Sequence, residues 1–168
     1  MKRSQTNKQK LLFLCQAALI AALYVAITHV IGAFGLASGT IQVRVSEALC
    51  VLAVFTPAAI PGLGIGCLIA NFSMACLWQD VLFGSLATLI GAAGAYLLRR
   101  RALLAPLPTV VANTVIVPFV LAYAYHYEGG LWFFAFTVGV GEVISAYVLG
   151  LLLYHALKPH AARLFRLT

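Results

Sequence analysis

Four carboxylates, one isolated arginine and a few amides carry most of the chemical capability of this chain, and nearly all lie inside or at the ends of apolar runs. Arg44 and Glu47 stand at i and i+3, a spacing that places both on one helix face. There they either pair with each other or point together into a cavity, the arginine offering donors and the glutamate acceptors. Gln42 precedes them. Asp80 directly precedes Val81 and the next apolar run, where it either caps a helix or joins such a site. Glu142 falls about eleven residues into the last apolar run, roughly 16 Å along a helix. A charge at the centre of a bilayer costs about 2.5–3.5 kcal/mol on insertion scales. Glu142 is therefore expected to face the bundle or a cavity, binding a cationic or donor-bearing ligand, or else to be protonated or paired with Asn113 or Asn71. Trp78 and Trp132 are either interfacial belt residues or platforms for a planar ligand, the latter worth about 1–3 kcal/mol per base-like ring.

Several chemistries are missing. Gly62-Leu63-Gly64-Ile65-Gly66 is glycine-rich, but no GxxxxGK[ST] occurs, so the chain has no P-loop for ATP. HExxH and GxSxG are absent, and no nucleophile–base pair is visible, which argues against an enzyme. His29 has no second histidine spaced to join it and reads as a hydrogen-bonded interior residue. Cys15, Cys50, Cys67 and Cys76 form no CxxC pair and read as small buried hydrophobes. Neither a metal nor a cofactor is expected. Any energy-driven step would have to draw on an ion gradient or a partner chain.

The elements that position these residues follow from composition. The chain of 168 residues is 63% hydrophobic and 9% charged, against roughly 25% charged in soluble domains. Lipid is the solvent such a surface needs. Apolar segments run over 11–33, 44–57, 60–78, 81–98, 102–124 and 131–157. They predict an all-α, polytopic membrane protein of six transmembrane helices, a single membrane domain over 1–168 with a basic cytoplasmic tail at about 1–10. The first run is too long for a signal peptide and reads as a retained helix. The net charge of +7 sits in three groups: Lys2, Arg3, Lys8 and Lys10; Arg99 to Arg101; and Lys158, Arg163 and Arg166. Each flanks an apolar segment, the pattern of cytoplasmic anchors rather than of a nucleic-acid surface. Four helices before Arg99 and two after Arg101 keep all three groups, and both termini, on the cytoplasmic side. Segments 34–43, 78–80 and 125–130 then face outward, and the polar residues cluster there or just inside.

The first helix carries two interleaved small-xxx-small pairs, Ala17/Ala21 and Ala18/Ala22. Such pairs let a helix approach closely, either within the bundle or on a partner.

Five stretches carry a resemblance. Ile41-Gln42-Val43-Arg44-Val45-Ser46-Glu47-Ala48-Leu49, Ala59-Ile60-Pro61-Gly62-Leu63, Gly66-Cys67-Leu68-Ile69-Ala70-Asn71, Asp80-Val81-Leu82-Phe83-Gly84-Ser85-Leu86-Ala87-Thr88-Leu89 and Gly139-Val140-Gly141-Glu142, with Asn113 between Val110 and Pro118, resemble the QueT family. The resemblance implies a substrate-binding S component of an energy-coupling-factor transporter in the cell membrane, importing a queuosine precursor such as 7-aminomethyl-7-deazaguanine. It also implies a transmembrane coupling subunit and two ATPase subunits as partners, with the alanine pairs docking the coupling subunit. The implied ligand suits the residues: carboxylates accept from a guanine-like edge and offset a cationic arm, Arg44 donates to the ring carbonyl, and a tryptophan covers the ring face. The competing expectation is a proton-coupled secondary carrier for a small cationic or nucleobase-like metabolite, with Glu142 as relay.

Overall fold

In hydrocarbon a backbone can satisfy its polar groups only within itself, and a helix does so completely. The structure, a computed structural model, describes the backbone of residues 2–34 and 44–165, and the side chains from residue 7 onward. Gln42 lies outside the described residues. The described backbone is helical throughout apart from short connections. We label the helices α1 (Lys2–Ala33), α2 (Val45–Val54), α3 (Ala59–Ser73), α4 (Trp78–Leu97), α5 (Leu107–Ala124) and α6 (Leu131–Leu164).

Among the described residues there are six helices, of which four are long and apolar enough by themselves to cross a membrane: α1 over Asn7–Ala33, α4, α5 and α6. The two short ones are α2 and α3. Helix α2 is wound as a 3-10 helix over its ten residues. At about 2 Å per residue it reaches roughly 20 Å, where an α-helix would reach about 15 Å. Residues Ser46 through Ala53 are all buried, because α2 packs against α1, α3, α4 and α6. It is the central element, with lipid-facing neighbours around it.

Successive helices alternate in direction. Thr56, just past the end of α2, meets Gln16 near the middle of α1, and Ser46 at the start of α2 meets Thr28 near the end of α1. Gly64 of α3 faces Leu89 of α4, Gly91 of α4 faces Thr109 of α5, and Thr114 of α5 faces Gly139 of α6. The alternation gathers Lys8, Lys10, Arg99, Arg100, Arg101, Lys158 and Arg163 at one end of the bundle. Arg44, Asn71, Asp80 and Tyr125 lie at the other.

Helices α1 and α3 approach closely where their side chains are smallest. A Cβ on Gly62 would stand 2.7 Å from the Ala17 carbonyl oxygen, and one on Gly66 would stand 3.0 Å from Ala21 Cα. Ala17 and Ala21 are thus used inside the bundle, while Ala18 and Ala22 lie on the exposed face of α1 with Leu11, Leu14 and Leu19.

Two helices lose their regular winding. In α5 the ladder passes from α to π over Val120–Ala124, just after Pro118, whose missing N–H leaves a carbonyl free. In α6 the π stretch is Val143–Leu149, where the Ser145 hydroxyl donates to the Gly141 carbonyl at 2.6 Å and competes with the ladder.

Candidate ligand-binding site

Asp80 sits in the first turn of α4, and Leu77, the residue before the helix, occupies the N-cap. Its carboxylate makes no capping bond. Instead Oδ2 lies 3.8 Å from Arg44 Nη2 and accepts from the Tyr125 hydroxyl at 3.2 Å. Arg44 Nη2 also donates to Asn71 Oδ1 at 3.2 Å, and Asn71 Nδ2 donates to the Asp80 carbonyl at 3.3 Å. The tight α3–α4 turn, with Ala75 in the left-handed region at φ 55°, brings Asn71 and Asp80 together. Gly84, one turn after Asp80, leaves room for them: a Cβ there would stand 3.0 Å from both Asn71 Nδ2 and Asp80 Oδ1. Arg44 therefore pairs with Asp80 rather than with Glu47, three residues along its own helix.

This group lines a cavity of about 260 Å³. Its wall continues through Thr28, Ser46, Cys76, Leu121, Tyr125 and Tyr127. The volume lies at the lower edge of the range for small-molecule sites, about 300–1,000 Å³. Tyr125 and Tyr127 stack with ring centroids 5.4 Å apart, giving one side of the cavity an aromatic face. Burial and the neighbouring Asp80 carboxylate push the Tyr125 phenol above its ordinary range, so it stays a hydrogen-bond donor at neutral pH. Burial likewise pushes the Cys76 thiol up and keeps it protonated. A larger groove of about 500 Å³ between α4 and α5 is lined almost wholly by apolar side chains such as Phe83, Phe119 and Tyr123, themselves exposed. In a bilayer such a surface meets acyl chains.

Below the cavity lies a second polar layer. Glu47 is fully buried, and its Oε1 accepts from the Tyr24 hydroxyl and from Thr88 Oγ1, the latter at 2.9 Å. Its Oε2 accepts from Cys50 Sγ at 3.3 Å. Glu142 and Asn113 are buried as well, side by side on α6 and α5. Glu142 Oε2 and both amide atoms of Asn113 lack a hydrogen bond of normal geometry among the described residues. Asn71 stays with Arg44 and Asp80, so it is not the neighbour of Glu142.

The sequence candidates thus separate into groups. Arg44, Asn71 and Asp80 converge on the cavity, and Glu47, Asn113 and Glu142 form the layer beneath it. Trp132 is 90% exposed and Trp78 64%, and neither lines the cavity. His29 is exposed rather than interior, with hydrogen bonds to the Val25 carbonyl and Ser73. Cys50 and Cys67 are buried, whereas Cys15 is exposed and Cys76 half-buried, and all four are free thiols. Sequence reasoning missed Tyr24, Thr88, Gly84 and the tyrosine pair. The aromatic Tyr125-His126-Tyr127 beside a polar loop was the one visible signal.

The sequence profile of the QueT transporter family matches residues 14–159. One curated relative, the queuosine precursor transporter QueT of Lactococcus lactis subsp. cremoris (strain MG1363), is 41% identical over 90 residues. That stretch is 54% of this chain and 50% of the relative, so the match spans about half of each. No solved structure matches the chain.

Proposed function

The chain belongs to the QueT transporter family and is a multi-pass membrane protein, and from that premise we propose that it is a transport protein whose cavity captures a queuosine precursor, a 7-deazaguanine such as 7-aminomethyl-7-deazaguanine. The observation that carries this reading is the pairing of Arg44 with Asp80 on the cavity wall. A guanine-type edge presents a carbonyl beside a ring N–H. An arginine beside an aspartate presents the complementary donor and acceptor. Arg44 donates to the ring carbonyl and Asp80 accepts from the ring N–H. The stacked tyrosines Tyr125 and Tyr127 cover the ring face, a role for which the exposed tryptophans are poorly placed.

We further propose that the chain acts as an S component and not as an enzyme, with a transmembrane coupling subunit and two ATPases supplying the energy. The sequence supports this by carrying no P-loop of its own. The basic end then faces the cytoplasm and the cavity end faces outward, as the positive-inside rule requires. The exposed face of α1 with Ala18 and Ala22 is the surface offered to the coupling subunit.

Calorimetry on the detergent-purified chain tests the ligand. The aminomethyl-deazaguanine is expected to bind and adenine to bind poorly, because adenine places a donor where Arg44 expects a carbonyl. Tight binding of an unrelated vitamin, with no binding of deazaguanines, would overturn the assignment. Vesicle uptake tests the energy source: uptake is expected only with the ATPase partners, and uptake by the chain alone that collapses with the proton gradient would establish the secondary carrier instead.

A further inference from the structure

We propose that Glu142 and Asn113 form an inner subsite that receives the protonated amino group of the ligand, and that Glu47, the other deep carboxylate, is a positioning residue satisfied within the protein. The inference rests on the deazaguanine reading of the cavity. The two carboxylates look alike in sequence but not in surroundings. Glu47 is engaged at both oxygens, by Tyr24 and Thr88 at one and by Cys50 at the other. It has little left to offer a ligand. Glu142 is 3% exposed and Asn113 is 0% exposed; the two lie close enough to interact, yet Glu142 Oε2 and both amide atoms of Asn113 have no hydrogen bond of normal geometry among the described residues. Buried polar groups in folded proteins are almost always fully paired, so a carboxylate and an amide held only in loose contact with each other have hydrogen-bonding capacity left for a further partner.

Charge points to the same partner. The ion pair among the described residues of this region is Arg44 with Asp80, which neutralise each other at the cavity. No described lysine, arginine or histidine pairs with Glu142. A protonated amine offers three donors and one positive charge, and Glu142 Oε2 with Asn113 Oδ1 supplies two acceptors and the counter-charge. The route is short. Leu121 lines the cavity and packs with Val117, Phe134 and Val138 on α5 and α6. Leu121 lies in the π stretch of α5, and Glu142 stands where α6 passes into its own π stretch. The partition between cavity and inner pair is therefore built on the two helices whose ladders are already irregular. A ring seated against Arg44 and Asp80 would send its cationic arm past Leu121 to Glu142.

The test uses the full chain in detergent, with the aminomethyl-deazaguanine and its neutral nitrile analogue as probes. Affinity is read by calorimetry and the Tm is read without ligand. The parent is expected to bind both probes. Glu142→Gln and Asn113→Leu should each weaken the aminomethyl compound by about ten-fold or more and the nitrile by less than about three-fold, with the ligand-free Tm unchanged or raised, because the first removes a buried carboxylate's charge and the second an incompletely paired amide. Glu47→Gln should instead lower the ligand-free Tm. Parent-like binding of the aminomethyl compound by both inner-pair variants would overturn the proposal. Equal weakening of both probes would overturn the assignment to the amino group. A fall in ligand-free Tm as large as that of Glu47→Gln would make the pair structural. If the parent binds neither probe, the deazaguanine reading itself fails, and this is distinguishable because it appears before any substitution is made.

Discussion

Replacing Gly84 with alanine adds one methyl group to the back of the Arg44–Asn71–Asp80 group. The new Cβ would stand 3.0 Å from Asn71 Nδ2, 3.0 Å from Asp80 Oδ1 and 3.5 Å from Arg44 Nη1, where ordinary contact begins at 3.4 Å. Asn71 and Asp80 must each yield by a few tenths of an ångström. Their mutual contacts have little slack, since Asn71 holds Arg44 at 3.2 Å and the Asp80 carbonyl at 3.3 Å. Two effects oppose each other in the ligand-free protein. Alanine in mid-helix gains about 1 kcal/mol over glycine, while overpacking costs about 1–3 kcal/mol. The net loss of stability is about 0–2 kcal/mol, small enough for the protein to fold. Binding has no such compensation. Misplacing one charged hydrogen-bonding group costs about 1.5–3 kcal/mol, which is about 10- to 150-fold in Kd. Calorimetry with the aminomethyl-deazaguanine measures it, alongside Gly64→Ala as control. The Cβ of that variant meets the flexible Leu89 side chain at 2.9 Å, away from the cavity, and its affinity should match the parent's. A folded Gly84→Ala protein that binds within about two-fold of the parent would refute the placement of the ligand against Asp80 and Arg44.

Tyr24→Phe removes one of the donors to buried Glu47 and should cost about 1.5–3 kcal/mol of stability, read as a lower Tm; an unchanged Tm would show that the bond contributes nothing. Ala22→Trp, on the exposed face of α1, should leave ligand binding intact and stop uptake by the assembled transporter. Ala21→Trp should instead disrupt the α1–α3 contact at Gly66 and lower the Tm; the reverse pattern would exchange the two faces. A cysteine at Gly130 should react with an impermeant thiol reagent from outside and one at Arg100 should not, both positions being exposed; labelling at Arg100 would invert the topology and with it the outward cavity.

Composition and charge spacing alone decide that this chain is a helical membrane protein. Long apolar runs have no stable state in water, and within lipid they have helix as their self-satisfying form. The helix positions were legible for the same reason, since Gly, Pro and basic clusters interrupt the apolar runs where the chain must turn. The Ala17/Ala21 and Ala18/Ala22 pairs were legible as close-approach surfaces, but their spacing is identical. Which pair faces inward depends on where Gly62 and Gly66 lie on another helix. The 3-10 winding of α2 was not readable, because its apolar run carries no local signal that separates 3-10 from α winding.

The site shows the same division. Arg44, Asn71 and Asp80 were recognisable as candidates because polar side chains in apolar runs are costly and need a reason. Their convergence was hidden, because it joins the start of α2, the end of α3 and the start of α4. Local spacing allowed Arg44 to pair with Glu47, yet the α3–α4 turn delivered Asp80 to Arg44 and left Glu47 to Tyr24 and Thr88. Trp78 and Trp132 drew notice by residue type, but the rotation of α4 and α6 turns them outward. Sequence shows what each side chain can donate, accept or bury. Partner choice is settled across helices by distance and orientation, which a one-dimensional pattern does not contain.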